Sequence, residues 1–393
     1  MLEPTQLPQP DDEAQRTSDM LSKRIRQTIE SSNGHIGFDD FMQLALYEPG
    51  LGYYAGAAEK FGRDGDFITA PELSPMFGAS VARQCQEVLL RTKGEIFEFG
   101  AGAGHLAANV LLELADLDSL PTKYTILELN AQMRERQRQT IKAVAPEQLN
   151  CTQWVSELPK RSLSGVILAN EIVDALPAKV FKTRGGSILE RRVCVNDHQF
   201  AWQDVPAGSA LKAQITDRVS SEIINSNDAY ASEINLTIEP WINDLSHILD
   251  NGLGLIFDYG HVQSEYYRSD RTNGTLHCHY RHRAHGDPFW SPGLQDITAS
   301  VDFTAIAEAA DAAGLHVAGF VDQANFLLGC DLLVDAERRA TRAGAADLAR
   351  LAHETKVLTL PTEMGTRFKV LALTKGYNHG LRGFQIRDDR HRL

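Results

Sequence analysis

Apolar residues at Leu21, Ile25 and Ile29 share one helical face, which predicts a helix from Ser18. A second short helix is predicted over Phe38 to Leu46, with Phe38, Phe41, Leu44 and Ala45 on one side. Regularity breaks at Tyr47-Glu-Pro-Gly-Leu-Gly-Tyr-Tyr54, and residues 62–75, rich in Gly, Asp and Pro, predict an ordered loop. From residue 95 the pattern changes to short continuous apolar runs. These fall at 95–100, 124–129, 151–155, 165–169 and 253–258, mostly separated by helical patterns. Such runs suit a parallel sheet covered on both faces, and so an α/β fold.

Between the fourth and fifth runs, Val180 to Asp204 alternates like a small antiparallel element and 209–250 is predicted largely helical. After residue 258 a long loop to about Thr298 is expected. A helix at 301–313, a strand at 315–321, a helix at 331–354 and a closing strand at 367–374 follow it. The first 17 residues, rich in Pro, Gln and Asp, predict a disordered lead-in. The last dozen, with Arg382, Arg387, Arg390 and Arg392, predict a mobile basic tail. The expected domains are a lead-in (1–17), an N-terminal helical cap (18–80), an α/β core (81–177 and 251–376), an inserted α+β subdomain (178–250) and the tail (377–393).

Composition narrows the function classes. With 393 residues the chain buries a large core, as one elaborated domain or two. A formal net charge of -13 argues against broad attraction to nucleic acid or an anionic membrane. No apolar run approaches the roughly 20 residues of a membrane helix. The five cysteines are odd in number and scattered, without a Cys-x-x-Cys pair, which fits reduced thiols. The N-terminus lacks a cationic start and an apolar core, so a cytoplasmic location is expected.

The chemistry begins at Glu98-Phe-Gly-Ala-Gly-Ala-Gly104, a strand running into a glycine loop that opens a helix. A dinucleotide fingerprint would place its third glycine at position 105, which is His105. Glycines at 100, 102 and 104 with an upstream acid suit a ligand carrying an amino group better than a pyrophosphate, and point to S-adenosylmethionine. Glu128, about 30 residues on at the tip of the next strand, is placed to accept both ribose hydroxyls, with Asn130 beside it. Asn170, Glu171 and Asp174 follow the fourth strand and are candidates for handling a nucleophile. The plainer alternative makes Asp174 a helix cap and Glu171 a solvated acid. Tyr259, after the fifth strand, either lines the pocket or packs at a strand end. His277, Cys278, His279, His282 and His285 crowd together but lack a separated second ligand pair, so a covering or partner-binding loop is expected rather than a metal site. Asp64-Gly65-Asp66-Phe67 lacks the remaining positions of a calcium loop.

Several of these segments together resemble the MidA family of S-adenosylmethionine-dependent methyltransferases, which includes a mitochondrial complex I assembly factor. The resemblance is carried in one order by Leu46 to Tyr54, Gly65 to Ser74, Glu98 to Gly104, Asn170 to Pro177, Asp258-Tyr-Gly260, Asp296 to Phe303 and Met364-Gly365. It implies a Rossmann-like class I methyltransferase core, a mostly parallel seven-stranded sheet with an antiparallel last strand, bearing an N-terminal helical segment and an inserted subdomain. It also implies methylation of a protein arginine, on a respiratory complex I core subunit or its bacterial counterpart. Carried across, Glu98 and the glycine loop would hold the methionine part, Glu128 and Asn170 would complete the cofactor site, and Gly65 to Ser74, with Thr69 and Pro71, would close it. Tyr54, Asp66, Tyr259 and His282 are the expected substrate contacts. Ala101 stands where the family often has proline, a mild change. The insertion is a candidate homodimer face. Rival expectations are a small-molecule methyltransferase and a cofactor-binding assembly chaperone; the glycine spacing disfavours a nicotinamide dehydrogenase.

Overall fold

A computed structural model describes residues 6–56 and 69–393. The chain forms two compact units, one from Met1–Phe67, Val173–Ile238 and His261–Asp302, the other from Ile68–Ile172, Glu239–Gly260 and Phe303–Leu393.

The second unit is built on seven strands: β1 (Glu95–Phe99), β2 (Tyr124–Leu127), β3 (Thr152–Val155), β4 (Leu163–Asn170), β5 (Leu249–His261), β6 (His316–Asp322) and β7 (Phe368–Lys375). Their spatial order is β3-β2-β1-β4-β5-β7-β6. β1 to β5 pair in parallel, and β7 is antiparallel to both neighbours. Ile96 lies opposite Tyr124 and Val166, and Leu255 opposite Leu168 and Ala372. All these residues are buried, so the runs read as continuous because both sheet faces are covered. The chain moves outward from β1 through β2 to β3, then returns to the other side of β1 with β4. Loops leaving the carboxyl ends of β1 and β4 therefore diverge, and ligands of open α/β sheets bind at such a reversal.

Helix Pro75–Thr92 starts at Ser74, whose hydroxyl accepts from the Met76 N–H at 3.2 Å, and stops at Lys93 in a left-handed conformation. It lies so close to helix His105–Asp116 that a Cβ on Gly78 would come 2.5 Å from that of Asn109. A buried ion network ties the two to helix Leu332–Ala340. Arg83 donates to Glu113 at 2.7 Å, Arg338 to Glu113 at 3.0 Å and Asp335 at 2.6 Å, and Arg339 to Asp335 at 2.8 Å. The second amino group of Arg83 is satisfied by the Cys330 and Asp331 carbonyls.

The first unit departs furthest from expectation. Its opening helix spans Asp12–Ser31, six residues earlier than Ser18, with Asp11 accepting from the Glu13 and Ala14 N–H groups at 3.1 and 2.9 Å. The acids that suggested disorder are its N-cap and first turn, where negative charge is stabilised by the positive end of the helix dipole. The predicted N-terminal cap and insertion are not separate bodies. Strand His35–Gly37 pairs with Arg192–Cys194, and the Phe38 ring lies 5.0 Å from Trp202. Residues 69–80 belong to the other unit instead. The stretch expected to be largely helical holds a strand, Tyr230–Ile234, paired with Lys179–Arg184. It was hidden because Ser232 and Glu233 are buried polar residues that spoil an apolar pattern. The histidine-rich run is a hairpin of His277–Tyr280 and Arg283–His285, turned by Arg281 and His282, both at positive φ, with Asp296–Thr298 as third strand.

In the second unit, the predicted helix at 331–354 is two, Leu332–Ala340 and Ala345–Thr359. The basic tail is packed: Tyr377, Leu381 and Phe384 are buried, the Gly383 N–H donates to Gln84 at 3.0 Å, and Arg382 pairs with Glu87 and Asp331. Its arginines drew attention away from these few scattered apolar residues. No helix among the described residues is long and apolar enough to cross a membrane.

Removing the buried Asp335 carboxylate takes a shared partner from Arg338 and Arg339 and leaves the buried Arg83, among the described residues, with the carboxylate of Glu113 alone. Asp335→Ala is expected to cost about 3 kcal/mol or more in urea unfolding, whereas Asp347→Ala, which breaks a pair whose side chains are 70% and 58% exposed, should cost about 1 kcal/mol or less.

Candidate cofactor and active site

β1 ends at Phe99 and the chain reverses through Gly100, Gly102 and Gly104, with φ of 54°, 51° and 89°, values that side chains with a Cβ rarely adopt. Each glycine faces something different. A Cβ on Gly100 would meet the Ile172 side chain at 2.8 Å, and one on Gly104 would meet the backbone of Gln137 at 2.9 Å. A Cβ on Gly102 would meet no atom within 4 Å, so that face is open. Gly104 caps helix His105–Asp116.

Glu98 lies within β1 and is buried, and its carboxylate accepts from the Tyr124 hydroxyl at 2.7 Å. Burial pushes its pKa up to about 7, with the Tyr124 bond opposing part of the rise. His105, by contrast, is pushed down by burial and by Arg136.

At the end of β2, Glu128 continues the ladder through its N–H to the Val155 carbonyl at 3.0 Å. Its two carboxylate oxygens accept from the Asn130 N–H and from Gln137, each at 2.9 Å. Burial raises its pKa against those donors. The Asn130 side chain caps helix Ala131–Val144 by accepting from Gln132 and Met133. Leu129, next to Glu128, is 72% exposed, unusual for a leucine at a strand end.

β4 ends at Asn170, which donates to Glu171 at 3.1 Å. Glu171 has φ of 53° and donates its N–H to the Phe257 carbonyl of β5 at 2.8 Å. A glutamate in the left-handed region is uncommon and costs of order 1–2 kcal/mol. Tyr259, on β5, donates its N–H to Asp258 and packs edge-on against Phe368 at 5.7 Å. Thr69 and Pro71 open the short helix Ala70–Leu73, Pro71 being buried.

The expected site residues thus divide. Glu98, the glycines, Glu128, Asn170, Glu171, Tyr259, Thr69 and Pro71 belong to the second unit, and Tyr54, Asp174 and His282 to the first. Asp66 lies outside the described residues. Tyr54 donates to Asp296 at 2.8 Å and stacks on Tyr47 at 5.5 Å. Burial, with the charges of Asp174 and Asp296, raises the pKa of both tyrosines. His282 sits exposed at the hairpin tip. Two further candidates were not singled out in the sequence: Asp296, bonded to Tyr54, and Gln137, a buried residue in a largely polar helix whose signal was its spacing of four from Ile141.

A glycine loop and strand-end acids at the reversal of an α/β sheet define a nucleotide-cofactor protein. Residues 80–321 match the family described as "Putative S-adenosyl-L-methionine-dependent methyltransferase". A crystal structure from Burkholderia thailandensis bound to S-adenosyl-homocysteine matches with a TM-score of 0.91 and 37% identity, over 98% of this chain and 100% of that one. A native structure from the same organism matches at 0.89 and 36%, with the same coverage. "Protein arginine methyltransferase NDUFAF7 homolog, mitochondrial" from Drosophila melanogaster is 28% identical over 95% of this chain and 89% of its own length. "Protein arginine methyltransferase NDUFAF7, mitochondrial" from Homo sapiens is 27% identical over 87% and 80%. The fold is that of an S-adenosylmethionine-dependent methyltransferase. Within that class the chain belongs to the MidA family, and its cofactor is S-adenosylmethionine.

The glycines separate fold from ligand. Gly104→Ala forces backbone apart and should cost about 3 kcal/mol. Gly102→Ala should cost only about 1–2 kcal/mol yet weaken S-adenosylhomocysteine binding at least tenfold, as read by denaturation and calorimetry.

Glu98 makes a pH prediction. Its folded pKa of about 7 lies above the ordinary 4.5, so the folded state holds the extra proton and stability falls as pH rises between those values. Glu98→Gln should therefore gain on the wild type from pH 5 to pH 8, by at most about 3 kcal/mol in urea unfolding. A constant difference across that range would contradict the shift.

Proposed function

We propose that this protein methylates an arginine side chain of a protein substrate. By the family resemblance, the acceptor would be a core subunit of respiratory complex I or its counterpart. The observation that carries the mechanism is Glu171: a glutamate held in a left-handed backbone at the end of β4, beside Asn170, at the sheet reversal. Backbone strain of this kind gathers where a side chain must be aimed. The names of the relatives support arginine as acceptor.

The residues fit the cofactor. Gly102 leaves the open face a close ligand needs, Glu128 presents a carboxylate at the strand end where a ribose would bond, and exposed Leu129 offers an apolar surface for a purine ring. Glu98 would serve the amino end, Thr69 and Pro71 would border the site, and Asn170 would contribute beside Glu171. When bound, S-adenosylmethionine supplies an electrophilic methyl on a sulfonium. The chain must then orient the acceptor and manage its proton. A guanidinium, with a pKa above about 12, is a poor nucleophile until a carboxylate localises its charge on one side. Glu171 is assigned that role, accepting the proton released on transfer, with Asn170 fixing its carboxylate. Alignment at near-attack distance can supply roughly 7–11 kcal/mol of the barrier.

In the first unit, buried Asp174 and Asp296 with Tyr47 and Tyr54 offer negative charge beside hydroxyls, a chemistry that suits an arginine side chain. Tyr54 and Asp174 are proposed contacts there, and Tyr259 in the second unit. His282, at its exposed tip, would meet the surface of the acceptor protein.

Strain and chemistry come apart at one position. Glu171→Gly relieves the left-handed cost, so melting temperature should hold or rise, while methyl transfer to the arginine acceptor should fall about 100-fold or more. Glu171→Gln should also lose most of the rate. Mass spectrometry of the acceptor gives the readout, and full transfer by both variants would remove Glu171 from the mechanism.

A further inference from the structure

Gln137 stands on helix Ala131–Val144, where it and Ile141 are the buried residues. Its amide makes three bonds of 2.9 Å. The nitrogen donates one hydrogen to the Gly102 carbonyl and the other to the Glu128 carboxylate, and the oxygen accepts from the Trp154 indole N–H. The inventory closes: two donors and one acceptor, each with a partner of the right kind. Trp154 matters because an indole nitrogen only donates. It forces the amide oxygen toward itself and so turns both amide hydrogens toward the glycine loop and Glu128. Trp154 is in turn covered by Arg138, whose guanidinium lies 4.4 Å from the ring centroid. The approach is as close as backbones allow, since a Cβ on Gly104 would strike the Gln137 Cα.

One side chain thus bonds to the glycine loop and to the acid at the tip of β2, and its orientation is set from β3. We propose that Gln137, oriented by Trp154, is a positioning residue for cofactor recognition: it sets the Glu128 carboxylate toward the ribose hydroxyls and holds the Gly102 peptide so that the loop's open face meets the ligand. This rests on the assignment of Glu128 to the ribose. A glutamate at 137 would repel Glu128 and the Gly102 carbonyl, and an apolar residue would leave a buried carboxylate short of a donor. Only an amide serves both neighbours at once.

The test is calorimetric titration of the full chain with S-adenosylhomocysteine and with its 2′,3′-dideoxy analogue. Wild type should prefer the hydroxylated ligand. Gln137→Met, of similar volume, should bind S-adenosylhomocysteine roughly 10–100-fold more weakly while its affinity for the dideoxy analogue changes less than about threefold, so that discrimination collapses. In turnover, the KM for S-adenosylmethionine should rise more than kcat falls. Trp154→Phe keeps the ring and frees the amide to rotate; a smaller loss of about threefold or more, again confined to the hydroxylated ligand, is expected. It serves as the measurement if Gln137→Met does not fold. Glu128→Gln separates the two ideas. If it binds and discriminates like wild type, the ribose assignment itself is wrong. If it loses discrimination while Gln137→Met and Trp154→Phe retain it, the ribose assignment stands and the positioning role is overturned. Equal weakening of both ligands by Gln137→Met would mean packing alone and would also overturn it.

Discussion

The backbone reversal at Gly100, Gly102 and Gly104 is the constraint on which the catalytic unit depends. Three left-handed residues in five turn β1 directly into helix His105–Asp116, with no room for a longer loop. That helix then lies within a methyl group's width of helix Pro75–Thr92 at Gly78 and Asn109, while Gly104 touches helix Ala131–Val144 at Gln137. A loop that looks like a ligand cradle is therefore also the meeting point of three helices. Only Gly102 looks onto open space. The other two owe their identity to the fold itself, so damage at this loop has two distinct origins that a loss of activity alone would merge.

Charge is handled in two ways in the same unit, and the contrast marks the site. Around Arg83 each buried carboxylate meets more than one donor, so the network is closed and its effect is to fix helices. Glu98 is buried with the Tyr124 hydroxyl, and its raised pKa records an environment that disfavours the anion. A cationic amino group arriving there would reverse that preference, because an opposite charge favours the ionised acid. Glu171 carries a different cost, in backbone conformation. Both costs fall at the carboxyl ends of β1 and β4, where the strand order reverses. Proteins concentrate such violations where function requires them.

Much of this was legible in the chain. The five apolar runs mark β1 to β5 to within a few residues, because strands buried on both faces leave an unbroken apolar signal, and the glycine loop announces itself because three closely spaced left-handed residues favour glycine. What escaped notice had weaker signals. Strand His35–Gly37 is three residues long, and its existence depends on the distant partner Arg192–Cys194. The helix at Asp12–Ser31 begins in acids that serve as readily in a disordered tail, and Tyr377, Leu381 and Phe384 stand before and among the C-terminal arginines, where only tertiary packing reveals them as core. Gln137 is the instructive case: on a helix of Arg, Gln and Lys a buried glutamine is indistinguishable by composition from a solvated one, and its role emerges only when Gly102, Glu128 and Trp154 surround it.

The same asymmetry separates cofactor from acceptor. The cofactor signature in the sequence is largely one of backbone: left-handed turns, a strand tip, a helix start, each with a narrow set of permitted residues at fixed offsets along the chain. The acceptor contacts proposed above rest instead on side-chain polarity contributed by remote segments. Tyr54 and Asp296, bonded at 2.8 Å, are 242 positions apart in the chain, and neither carries a local signature. Nothing in the spacing of this aspartate and tyrosine joins them until the fold brings them together. Cofactor identity can therefore be argued from ten residues around Glu98, whereas acceptor identity has to be argued from charge and geometry in the folded protein.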